Sequence, residues 1–130
     1  MQTQVDFYKS KLTYEMDPSD LFEMLEKGED TIVIDTRQEF GYKREHIPGA
    51  INFPHRRMNE ESVKKLDMSK TYVCYCDGIG CNGSTKGALK LSEYGFKVKE
   101  LIGGIEWWKF DGYATEGQKS TAGVEIHCAC

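Results

Sequence analysis

Three short runs rich in apolar and β-branched residues set the frame: TIVIDT (Thr31–Thr36), TYVCYC (Thr71–Cys76) and KVKELIG (Lys97–Gly103). The first two have the near-continuous apolar character of strands covered on both faces. Segments with helical signals stand between the runs. Strands alternating with helices in this way predict an α/β fold, an open and mainly parallel sheet flanked by helices on both faces. The chain of 130 residues is long enough for one such domain with a real core. Ligands of open α/β sheets sit outside the carboxyl ends of the strands. Cys76, the last residue of the second run, is therefore placed where such a sheet does its chemistry.

The predicted helices follow from local signals. In DPSDLFEMLEKGED, Asp17 can cap, Pro18 suits the first turn and Gly28 ends the helix. Leu21, Phe22, Leu25 and Met24 form its apolar stripe. RQEFGYKREH reads as a short helix ending before Pro48, followed by a short strand over Ala50–Phe53. NEESVKKLD reads as a modest amphipathic helix. TKGALKLSEYG is a helix that Ser84 or Thr85 can cap and Gly95 closes, and GIEWWKFDG is a short final helix. The resulting organisation is an N-terminal extension (1–14), one domain (15–113) and a polar, mobile C-terminal tail (114–130).

Composition removes whole classes of function. Seventeen Lys and Arg against 21 Asp and Glu give a net charge of −4, so there is no global basic field to attract nucleic acid. The basic cluster HRR (His55–Arg57) is too short to change that. No apolar run approaches the ~20 residues of a membrane span, and the first sixteen residues do not read as a signal peptide. The expectation is a cytoplasmic protein whose thiols are kept reduced. Five cysteines, an odd and clustered set, do not suggest a framework of structural disulfides.

Three of those cysteines fall in CYCDGIGCNGSTK (Cys74–Lys86). A thiol reacts as thiolate, and its pKa falls near a helix N-terminus or converging backbone amides. Gly78, Gly80 and Gly83 allow positive φ and close backbone approach, so the loop over Asp77, Gly78, Ile79, Gly80, Cys81, Asn82, Gly83 and Ser84 can form an anion nest around Cys76. The helix that follows adds its positive end. The plainer alternative is a buried cysteine beside a glycine-rich turn.

Further motifs weigh against that alternative. VIDTRQEFGYKREHIPGAINFP (Val33–Pro54) resembles the first signature of the rhodanese family, an Asp–x–Arg strand end followed by an HIPGAIN segment. YVCYCDGIGCNGSTKGALKLSEYGFKVKELIGGIEWWK resembles its second half. The match is to small single-domain rhodanese-like sulfurtransferases with a C-x-G-x-G-C-N-G active loop. The resemblance implies the rhodanese α/β domain and transfer of a sulfane sulfur through a persulfide on Cys76. The reactants would be a small sulfur donor and a thiol or cyanide acceptor, or a partner protein, with no cofactor. It also makes Trp108 the final-helix tryptophan of the family. Two departures stand out. Seven residues separate Cys76 from Ser84, which makes the loop about two longer than usual, and the loop carries no Arg or Lys while Asp77 adds negative charge. Lys86 is the nearest basic side chain. Thiosulfate, a dianion, is thus not the expected preferred donor. A phosphatase reading fails because Gly83 stands where an oxyanion-gripping Arg would be needed. The rival reading is a non-enzymatic sulfur-carrier or redox-sensing module that binds a partner protein.

Other residues carry smaller expectations. Cys74 is a buried small hydrophobe on the same strand face as Cys76. Cys81 is a second thiol, five positions from Cys76, that a tight curl can bring within disulfide reach. Asp35 and Arg37 are expected to brace the loops, His46 to tether the Pro48–Gly49 turn, and Trp107 or Trp108 either to wall the cleft or to pack in the core. The ending His127, Cys128, Cys130 offers three metal ligands, or thiols able to take sulfur from Cys76, or a solvated tail.

Overall fold

The computed structural model describes residues 1–28, 30–120 and 122. Five strands, β1 (Glu15–Met16), β2 (Thr31–Asp35), β3 (Ile51–Asn52), β4 (Thr71–Tyr75) and β5 (Lys97–Leu101), form one sheet in the order β1-β5-β4-β2-β3. Every pairing is parallel, as the alternation of runs predicts. In the central pair, Val33 lies opposite Val73 and Ile34 opposite Cys74.

The twofold period of a strand sends neighbours to opposite faces, and the core divides accordingly. Val33, Val73 and Tyr75 join Leu21, Ile105 and Trp108 on one face, against α2 (Pro18–Glu26), α3 (Glu39–Arg44) and α5 (Gly104–Phe110). Ile34, Tyr72 and Cys74 join Met58, Leu91 and Phe96 on the other, against α4 (Gly83–Glu93) and two short 3-10 turns. Cys74 is fully buried there, and burial, with Glu100 adding to it, pushes its thiol pKa up. It is a packing residue, as its strand position suggests.

Helix α2 starts as its sequence dictates. Asp17 accepts from the Asp20 amide at 2.8 Å, Asp20 reaches back to the Asp17 amide, and Pro18 occupies the first turn. Within its stripe Leu21 is buried, but Phe22 stays 39% exposed and stacks on Tyr113. The N-terminal extension holds a further helix, α1 (Gln4–Tyr14), capped by Thr3 and leading into edge strand β1.

Three expectations are corrected. The segment 59–67 forms only a 3-10 turn, Ser62–Lys65, because Asn59 and Ser62 bond each other's backbone amides and so compete with a helix. Helix α4 is not capped by Ser84 or Thr85. It begins at Gly83, and both hydroxyls donate instead to Glu100 on β5, each at 2.7 Å. The segment read as a mobile tail is, over Ala114–Lys119, bonded to the domain. Trp108 Nε1 donates to the Ala114 carbonyl at 2.9 Å, His46 and Glu116 exchange backbone bonds, and Thr115 is buried. His127, Cys128 and Cys130 lie outside the described residues.

Candidate functional site

Strand β4 ends at Tyr75, and Cys76 follows it directly, only 5% exposed, beneath a cleft at the carboxyl edge of the sheet. The cleft encloses about 300 Å³ and is lined from three directions. The β4–α4 loop supplies Cys76, Asp77, Cys81, Asn82 and Gly83. The segment after β2 supplies Thr36, Arg37, Gln38 and Phe40. Pro54, His55 and Arg56 come from the 3-10 turn after β3, and Lys86 from α4.

Each glycine of the loop has its own role. Gly80 has φ +93°, which opens the turn in which the Cys81 amide bonds the Gly78 carbonyl at 3.2 Å. Gly78 and Gly83 do not use positive φ but allow close approach. A Cβ on Gly78 would strike the Glu106 carboxylate, and one on Gly83 would stand 3.1 Å from Cys76 Sγ. Gly83 opens α4 without a capping side chain, so the helix presents its first-turn amides and positive end beside Cys76. On the other side, the Ile105 and Glu106 amides at the start of α5 bond the carbonyls of Cys76 and Asp77 at 3.0 and 2.9 Å. The loop is held between two helix starts.

Cys76 and Cys81 are joined as a disulfide, with their Cα atoms 6.2 Å apart. The curl of the loop thus brings the two thiols into bonding contact. Their sulfurs and an Asp77 oxygen all lie within 4.8 Å of one another, a spacing a metal ion could bridge, but the disulfide engages both sulfurs. A metal there would have to draw Asp77 away from Arg37.

Asp35 and Arg37 form the brace beneath the loop. Asp35 is fully buried and takes three guanidinium bonds from Arg37, the shortest at 2.8 Å, and one from the Tyr75 hydroxyl at 2.9 Å. That hydroxyl in turn accepts from the Ile47 amide. Arg37 also donates to the carbonyls of Gly41 and Glu45 and, at 3.1 Å, to Asp77. Burial works against the charge of Arg37, but the bonds and charge of Asp35 outweigh it and raise its pKa. For Tyr75, burial first and the Asp35 charge second hold the phenol neutral. His46 does not bond the Pro48–Gly49 turn as expected: its Nδ1 lies 2.7 Å from the Tyr42 carbonyl in α3 and its ring stacks on Tyr42, while the Gly49 amide donates to Glu116 at 3.1 Å.

The remaining expected site residues are not at the cleft. Trp108 is buried in the core, Trp107 packs on Phe110, Ile79 projects outward at 75% exposure, and Ser84 is buried against Glu100. Conversely, His55 and Arg56 belong to the cleft although no local pattern put them there. They lie some twenty residues before Cys76, and only the fold brings them in. The signal was the HRR cluster, visible as charge but not as position. A Cβ on Gly87 would clash with Thr36, so this glycine lets α4 pack close to the segment after β2, and Lys90 of the same helix donates to the His55 carbonyl at 2.7 Å. The loop contains no cation of its own, yet Lys86, Arg56 and Arg37 surround it.

Residues 17–111 match the rhodanese-like domain family. The thiosulfate sulfurtransferase GlpE of Coxiella burnetii is 36% identical over 98 residues, covering 74% of this chain and 88% of that protein. The thiosulfate sulfurtransferase PspE of Escherichia coli is 34% identical over 74 residues, 56% of this chain and 69% of that one. The crystal structure of the BH2092 protein from Bacillus halodurans superposes with a TM-score of 0.84 at 45% identity, covering 88% of this chain and 84% of that one. No helix among the described residues is long and apolar enough to cross a membrane. With this match spanning most of the chain and a sheet of the corresponding topology, the protein belongs to the rhodanese-like domain family.

Proposed function

We propose that the protein is a sulfurtransferase that carries sulfane sulfur as a persulfide on Cys76. The observation that carries this reading is the position of Cys76, at the floor of the cleft and against the uncapped start of α4. In the reduced protein the helix end and nearby amides favour the thiolate. The thiolate attacks the sulfane sulfur of the donor, the sulfur–sulfur or sulfur–carbon bond breaks, and the donor remainder leaves with the electron pair. An acceptor thiolate or cyanide then attacks the terminal sulfur and Cys76 departs as thiolate, which is covalent catalysis in two steps.

The loop alone, acidic at Asp77 and without a cation, argues against thiosulfate. Lys86 and Arg56 argue for small anionic donors, and Asp77 is tied to Arg37. The relatives named thiosulfate sulfurtransferase support the anionic class. Immediately after exposure to donor, reduced protein carries one added sulfur atom, about 32 Da, on the peptide containing Cys76. Cys76→Ser gains none. In Lys86→Met, kcat/KM falls several-fold for thiosulfate and little for an uncharged donor. Sulfur mapped to another residue with Cys76→Ser still active would refute the assignment. Stoichiometric loading without turnover for any acceptor would favour the carrier reading instead.

A further inference from the structure

Sulfur transfer through Cys76 gives Cys81 no part, yet the fold puts the two Sγ atoms in bonding contact across five positions of one loop. The turn closed by the Cys81 amide and the Gly78 carbonyl produces this approach. With the disulfide formed, the anchors on either side remain in place: Cys76 and Asp77 to the start of α5, and Lys86 to the Asn82 carbonyl at 2.9 Å. The closed form is therefore a state of the intact domain. Cys81 is half-buried on the cleft wall, where a soluble reductant can meet it, whereas Cys76 lies beneath.

We propose that the domain also reduces sulfane sulfur to hydrosulfide, with Cys81 as the attacking thiol and an external dithiol as the reductant. The step rests on the Cys76 persulfide proposed above. The Cys81 sulfur attacks Sγ of Cys76, and the bond between that Sγ and the terminal sulfur breaks. The terminal sulfur leaves with the electron pair and takes the Cys81 proton, departing as HS⁻. Cys81 is oxidised, the sulfane sulfur is reduced, and the Cys76–Cys81 disulfide is the protein product. A dithiol then opens that disulfide by two exchanges, restoring both thiols and becoming a disulfide itself.

The geometry decides which sulfur is attacked. Attack on the outer sulfur would only move the persulfide to Cys81, whereas attack on the inner one makes the bond between the two Sγ atoms that the structure contains. Held beside its target, Cys81 acts at an effective concentration far above that of a free thiol. Lys86 and Arg56 at the rim favour departure of an anion.

The test uses the full chain, reduced, loaded with thiosulfate, desalted and left without acceptor. The wild type releases about one hydrosulfide per sulfur loaded, and the peptide spanning both cysteines ends about 2 Da lighter than its dithiol form. Added dithiothreitol with excess thiosulfate sustains continuous hydrosulfide release. In Cys81→Ser, and equally in Cys81→Ala, the persulfide persists and release slows by about tenfold or more. If Cys81→Ser holds sulfur but the wild type holds it equally long, or if the sulfur is found on Cys81, the inference is overturned while the Cys76 reading stands. If neither Cys81 variant nor the wild type takes up sulfur, the Cys76 reading itself fails and the inference falls with it.

Discussion

His55 stands among like charges. It is half-buried on the cleft wall, and burial first, then Lys90, Lys86 and Arg56, hold its pKa below the ordinary value. A histidine whose folded pKa is depressed leaves stability intact above its unfolded pKa, and that stability is lost as pH falls through the folded one. The unfolded value lies near ~6.5, so the loss begins there on acidification and deepens until His55 is protonated in both states. Denaturant midpoints compared at about pH 7.5 and about pH 5.5 should fall less in His55→Gln than in the wild type. Added salt should narrow the gap by screening the three cations. Equal acid sensitivity in both proteins would mean that the imidazole is already solvated and indifferent to its neighbours.

Helix α5 meets the active loop at Gly104, which has φ +59° and no room for a side chain. A Cβ there would overlap the Cys76 carbonyl and come within 2.9 Å of the Asp77 carbonyl carbon. Gly104→Ala should lower stability by about 1–3 kcal/mol from backbone strain alone. It should also weaken persulfide loading, because the Ile105 and Glu106 bonds that fix the loop must shift. Gly80→Ala is the control, since its position is equally left-handed but opens onto empty space. Unfolding curves and mass-detected sulfur uptake on both variants separate strain from displacement. Only Gly104→Ala should lose uptake beyond what its stability explains. Legibility at this scale follows the range of the interactions. Asp17, Pro18 and Gly28 act within one helix, so α2 could be read from the sequence. The hydroxyls of Ser84 and Thr85 are taken by Glu100 on another strand, and no local pattern announces that. Segment 59–67 had a helical pattern, but two short polar side chains bonding its backbone override it.

Across the whole molecule, the sheet and the strand-end cysteine were legible because burial on both faces leaves its mark along most of β2 and β4. The cations of the cleft and the closing strap were not, because each depends on segments distant in sequence. The strap shows the cost of reading the chain's polar end as solvated. Ala114–Lys119 crosses α3 and the turn after it, with the Glu116, Gln118 and Lys119 amides bonding the carbonyls of His46, Lys43 and Arg44 at 2.8–3.0 Å. It also accepts the indole N–H of buried Trp108 and places Thr115 against Glu45. Arg37 bonds the Glu45 carbonyl at 2.6 Å, so the strap and the brace beneath the active loop hold the same residue. Truncation after Tyr113 should therefore act at two levels. Leaving the Trp108 N–H without its partner costs about 1–3 kcal/mol, and the lost backbone bonds add to that. The loosened Glu45 should also slow sulfur loading at Cys76. Glu116→Ala keeps the backbone bonds and removes only an exposed side-chain bond to the Gly49 amide and a 3.8 Å contact with His46 Nε2, so it should change stability by no more than about 0.5 kcal/mol. Differential scanning calorimetry and loading rates on the two variants decide the matter. A truncated chain with wild-type melting and wild-type loading would show that the strap merely rests on the domain.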